Sequence, residues 1–137
     1  MANALYDKAR EKFLAGDLSW RDADIKVCLV EGYTPDTANH EFLEDVTDAG
    51  GGTIVATSGN LASKTVTGGV ADAADETLSD VPAGDPCEHL VIYADSGMPE
   101  TSDLIAVIDS GTGLPITPNG GDIEVAWDSG ANKIFKL

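Results

Sequence analysis

From residue 25 onward the apolar residues come in short runs rich in β-branched side chains, and glycine, proline, aspartate or asparagine ends each run. That pattern limits the architecture more than any other feature of the chain, because a helix needs a longer stretch with a 3.6-residue period. Ile25-Lys-Val-Cys-Leu-Val30, Thr53-Ile-Val-Ala-Thr57, Glu88-His-Leu-Val-Ile-Tyr-Ala94 and Leu104-Ile-Ala-Val-Ile108 read as strands. Asp122-Ile-Glu-Val-Ala-Trp127 alternates cleanly, placing Ile123, Val125 and Trp127 on one face. Ser63–Val70, Glu76–Val81 and Lys133–Leu137 are weaker strand segments. The long polar stretch from Gly32 to Asp48 reads as a loop, with one helical turn over His40–Leu43.

Residues 3–16 carry a different period. Leu5, Tyr6, Ala9 and Phe13 fall on one helical face, while Lys8, Arg10, Glu11 and Lys12 cover the other. Asn3 is the expected N-cap and Gly16 the residue past the end. The expected fold is therefore a single mainly-β domain, antiparallel and β-sandwich-like. It has a short N-terminal α-helix at about residues 3–16 and a β domain over about 24–137.

A chain of 137 residues with 42% apolar content can bury one real core. Aromatics are only 6%, so small and β-branched side chains fill it. There is no apolar run long enough to span a membrane. The first turn is charged and lacks the apolar region of a secretory signal, so the expected setting is cytosolic. Cys28 and Cys87 read as buried, reduced hydrophobes; a bridge between them stays open if their strands are neighbours.

Charge is sorted by position. From Val27 to Asn132 there are 19 Asp and Glu but a single cation, Lys64, whereas residues 1–26 carry five charges of each sign. Lys133-Ile-Phe-Lys-Leu137 adds two cations, for a net charge of −16. Such a body repels nucleic acid, whose binding needs lysine and arginine to displace counterions. The two ends are where a partner could dock, and the candidate contact residues are Leu5, Tyr6, Phe13, Trp20, Lys133, Ile134, Phe135, Lys136 and Leu137.

Nothing in the chain assembles into catalytic chemistry. Asp-Ser-Gly occurs at 95–97, 109–111 and 128–130, and an aspartic peptidase uses a similar triplet. That chemistry needs two such carboxylates sharing one proton, whereas each copy here fits a local turn. Acidic clusters such as Asp72–Glu76 and Glu41–Asp45 lack the spacing of an EF-hand, and the glycine-rich stretches lack a P-loop lysine. The expectation is no enzyme, no metal and no cofactor. A carbohydrate-binding module would need exposed aromatics, and Trp127 lies on the apolar face of its strand.

Two segments resemble the small virion structural proteins of tailed bacteriophages. One is Met1-Ala-Asn-Ala-Leu-Tyr-Asp-Lys-Ala-Arg-Glu-Lys-Phe-Leu-Ala-Gly-Asp-Leu-Ser-Trp20 with Asp24-Ile-Lys-Val-Cys-Leu-Val30. The other runs from Gly113-Leu-Pro-Ile-Thr-Pro-Asn-Gly-Gly-Asp122 through Ile-Glu-Val-Ala-Trp127 to Leu137. Leu90–Tyr93 and Leu104–Asp109 lie between them in the same order. The resemblance implies a capsid decoration, or cement, protein on the outside of the head, assembled in the host cytoplasm. Its implied partners are the major capsid protein and other copies of itself, for which a trimer would suit the threefold sites of a shell; nucleic acid and membrane are not expected partners. The alternatives are a tail or head–tail joining protein and, from a different class, a carbohydrate-binding module.

Overall fold

The computed structural model describes residues 4–109, 114–127 and 134–136. Three strands form its centre: β2 (Ile25–Glu31), β7 (His89–Ala94) and β8 (Asp103–Ile108). β1 (Ala4–Leu5) and β3 (Thr53–Thr57) complete an antiparallel sheet in the order β1-β8-β7-β2-β3. β4 (Thr65–Thr67), β5 (Val70–Asp72) and β10 (Phe135–Lys136) make a second sheet, ordered β10-β5-β4. β6 (Glu76–Leu78) pairs with β9 (Ile123–Val125), and the helices are α1 (Asp7–Ala15) and α2 (Glu44–Thr47). Every strand pairing described is antiparallel, so the chain is mainly β and sandwich-like.

The central strands are buried on both faces. Cys28, Leu29 and Val30 are consecutive and all buried, although neighbouring side chains on a strand point to opposite faces. On the Leu29 face lies a small core of Leu78, Val81, Cys87 and Val125, supplied by the β6–β9 layer and its flanks. On the Val30 face the chain packs Tyr33 and a glycine loop. A Cβ on Gly50 would sit 2.3 Å from Tyr33 Cε1, and one on Gly52 2.9 Å from Val30 Cγ1. Only glycine lets the backbone approach that closely. Cys28 and Cys87 belong to different cores and are unbridged.

Three boundaries differ from the sequence expectation. The helix begins at Asp7, not at residue 3, because Ala4 and Leu5 are extended and pair with Val107 and Ala106 of β8. Tyr6 stays extended (φ −73°, ψ 139°), donates its N–H to the Ile105 carbonyl at 3.0 Å and is fully buried. Ladder bonds and burial together outweigh two more residues of helix. Asn3 lies outside the described residues. Gly16 does end the helix, in the left-handed region at φ 81°.

The second difference is at Ser63–Val70, which is a hairpin rather than one strand. Gly68 and Gly69 have φ of 60° and 80°, the successive positive values that a two-residue type I′ turn needs. The third is the helical turn, which falls at Glu44–Thr47 instead of His40–Leu43. The Asp45 carboxylate accepts the N–H groups of Glu41 and Phe42 at 2.8 and 3.0 Å, tying them ahead of the helix.

Candidate docking site

The hairpin, β10 and the segment before β2 converge on one apolar cleft. In the second sheet Val66 lies opposite Ala71 and Ala71 opposite Phe135, so the three share a face. Trp20 packs edge-on against Phe135, ring centroids 5.2 Å apart, and Phe13 meets the same ring at 6.1 Å in a tilted arrangement. The Trp20 indole N–H donates to the Asp72 carbonyl at 3.1 Å, which locks the ring to β5. Ser19, Arg21 and Gly69 complete the lining of a cleft of about 250 Å³.

A local turn sets the position of Trp20. Ser19 Oγ accepts the Asp22 N–H at 3.3 Å, and the Ala23 N–H donates to the Ser19 carbonyl at 3.1 Å. The Lys64 ammonium donates to the Ala23 carbonyl and so ties this turn to the approach of β4.

The charge around the cleft is mixed: Arg21 lines it, and the Asp22 carboxylate accepts from the lining residue Ser19 Oγ at 3.2 Å. No acidic residue lines the cleft itself, on a chain with 24 Asp and Glu. Lys8, Arg10, Lys12 and Lys26 are each held in ion pairs, with Glu11, Asp7, Glu41 plus Asp103, and Asp95. Among the described residues the cations outside such pairs are Arg21, Lys64 and Lys136. Arg21 lines the cleft, Lys64 leads into β4, and Lys136 lies on β10 beside Phe135.

The two ends of the chain, expected as separate docking elements, therefore meet in one place. Phe13 and Phe135 are half-buried in the cleft, Ile134 is half-buried and Lys136 is exposed. Trp20 is 5% exposed, so it forms the floor and does not project to a partner. Leu5 and Tyr6 are corrected: both lie in the core, Leu5 on β1 against β8 and Tyr6 bonded to Tyr33, and neither offers a contact surface. Lys133 and Leu137 lie outside the described residues. Arg21, Val66 and Ala71 were not singled out from the sequence. A signal for Val66 and Ala71 was there, since no Asp or Glu occurs between Asp48 and Asp72; none pointed to Arg21.

Other polar features are explained within the fold. The first Asp-Ser-Gly is a turn in which Asp95 Oδ1 accepts the Gly97 N–H at 3.0 Å and Gly97 has φ 95°; the other two copies lie outside, or run out of, the described residues. Tyr6, Tyr33 and His40 form a buried chain, O–O 2.6 Å and O–Nδ1 2.9 Å. The Asp36 N–H also points at His40 Nδ1, at 3.3 Å, so that nitrogen accepts and Tyr33 donates to it. Burial pushes the Tyr33 phenol up to about 12 and the Tyr6 phenol higher still, so both stay neutral donors. Among the described residues no group of three or more His, Cys, Asp and Glu could hold a metal ion, and no helix is long and apolar enough to cross a membrane. Tyr6, Tyr33, Tyr93 and Trp20 are buried and Trp127 is half-buried, with its indole N–H bonded to the Ala74 carbonyl at 3.0 Å. These rings form no exposed platform for a sugar.

No protein-family model matches the chain, and no curated protein is significantly similar to it.

Proposed function

We propose that the protein is a capsid decoration protein of a tailed bacteriophage, and that it docks on the assembled head through the cleft between Trp20, Val66 and Phe135. The observation that carries this reading is the meeting of the two chain ends, where the resemblance to phage virion proteins is concentrated, in one apolar cleft. The remaining surface suits a face turned to solvent, because strong like charge keeps crowded copies from aggregating. A decoration protein does no chemistry. It binds the assembled shell in preference to free subunits and stabilises it by mass action. Phe135 and Val66 are the apolar contacts in this arrangement, and Arg21 the charged one.

The test is to add purified protein to heads that lack it and to locate it by electron cryomicroscopy. The expected result is density outside the shell at threefold or quasi-threefold positions, and heads that withstand more heat or chelator. A ring at the portal vertex would place the protein in the joining class instead, and no binding to heads would overturn both readings.

A further inference from the structure

The geometry points to a specific occupant of the cleft: an extended segment of another protein, added as a fourth strand along the edge of β4 that no strand covers among the described residues. This segment places an apolar residue opposite Val66 and a carboxylate beside it. The inference rests on the docking reading above and says what the docked element is.

The edge is built for such an addition. β4 is the outer strand of the β10-β5-β4 sheet, and Thr65, Val66 and Thr67 are all exposed. None of the three is charged and none is proline, so this edge is guarded by its shortness alone, three residues, and not by charge or proline. The two-residue Gly68-Gly69 turn makes Thr67 and Val70 the bonded pair that closes the hairpin. Bonded and non-bonded pairs alternate along an antiparallel ladder, so Val66 does not bond to Ala71, and its N–H and C=O point to the open edge. The other outer strand on this side, β3, is interrupted by a bulge between Leu29 and Val30 of its partner, which is how edges are commonly blunted.

Side chains and charge then select the occupant. Phe135, Ala71 and Val66 run in register across three strands, and Val66, at the end of the row, is 50% exposed. A fourth strand paired with Val66 continues the row, and an apolar residue there covers it. Arg21 lines the cleft outside any ion pair among the described residues, so a carboxylate is the complementary charge, whereas Lys136, next to Phe135 on β10, points to the opposite face of the sheet. A second copy of this chain would bring Thr65-Val66-Thr67, without a carboxylate, together with another net charge of −16.

The test uses the intact protein, labelled with ¹⁵N, and two blocked peptides. One is Glu-Thr-Val-Thr-Val-Thr-Glu and the other has lysine in place of both glutamates. At 0.15 M salt the screening length is about 8 Å, so only charges near the cleft act. The expected result is a shift of the Val66 amide and the Trp20 indole resonances with the glutamate peptide. The lysine peptide should bind about tenfold more weakly, against the pull of the protein's overall charge. V66P removes one outward N–H and keeps the hairpin bonds, so it should weaken binding about fivefold with an unchanged melting temperature. R21E should reverse the preference between the peptides, and it decides the case if V66P proves unfolded. Equal or tighter binding of the lysine peptide, unaltered binding by folded V66P, or self-association through the Val66 edge without peptide would each overturn the inference. No step uses phage heads, so a failure to decorate heads and a failure of strand addition read out separately.

Discussion

Trp20 joins the two ends of the chain, through its edge contact with Phe135 and its bond to the Asp72 carbonyl. Trp20→Ala opens a cavity under β10 and should cost about 3–5 kcal/mol, measured by urea unfolding. Tyr6→Phe removes one hydroxyl from the buried Tyr6–Tyr33–His40 chain but leaves the ring in place. The expected cost is about 1 kcal/mol, since Tyr33 keeps its donation to His40. The thiols make a third test at this scale. Cys28 is fully buried and its thiol is pushed up to about 12, and burial and the Glu31, Glu88 and Asp85 carboxylates also raise Cys87. Native protein should therefore leave a thiol reagent at pH 8 unreacted, and two equivalents should react on unfolding. The residues buried in this way were legible as small apolar positions. The fate of the aromatic ones was not: whether Trp20 faces a partner or its own Phe135 depends on a strand over 100 residues away.

At the scale of elements, α1 is tied to the sheet by Lys12, which bonds both Glu41 and Asp103. Burial pulls the Lys12 ammonium down, but the two carboxylates outweigh it and hold it above its usual 10.5. That tie contributes stability that is full below pH 10.5 and is lost as pH rises through the higher folded value. The Asp95 turn behaves in the opposite sense. The Lys26 ammonium and the Gly97 N–H hold this carboxyl below 3.8, so its contribution is full above that pH and is lost as pH falls through the lower folded value. Lys26→Met should remove most of that acid-limb dependence in unfolding titrations between pH 2 and 5. Removing residues 134–137 would delete β10 and uncover Phe13 and Trp20, so truncation lowers stability as well as docking. Arg21→Glu is the cleaner probe: it leaves Phe135 in place and should weaken head binding with little change in melting temperature. β2, β3, β7 and β8 were readable from their apolar runs because period and burial agree there. The β4–β5 hairpin was obscured because Thr65-Val66-Thr67 is exposed throughout and has no apolar alternation to show.

Over the whole molecule, a net charge of −16 repels itself within one fold. Raising salt from about 0.01 to 0.15 M shortens the screening length from about 30 to 8 Å and should raise the melting temperature. The same charge should prevent DNA binding at physiological salt, which a gel-shift titration checks. The sequence alone determined the positions of the main strands, the turn chemistry between them and the confinement of nearly all cations to the two ends. These are local properties, set by side-chain period, glycine and aspartate at turns, and the order of charges along the chain. Only the tertiary structure decided that the first and last segments share one cleft, that Leu5 and Tyr6 are core, and that Val66 is left at an edge uncovered among the described residues. Those outcomes depend on which strand pairs with which, and long-range pairing is chosen by total burial and hydrogen bonding, quantities that no single segment contains.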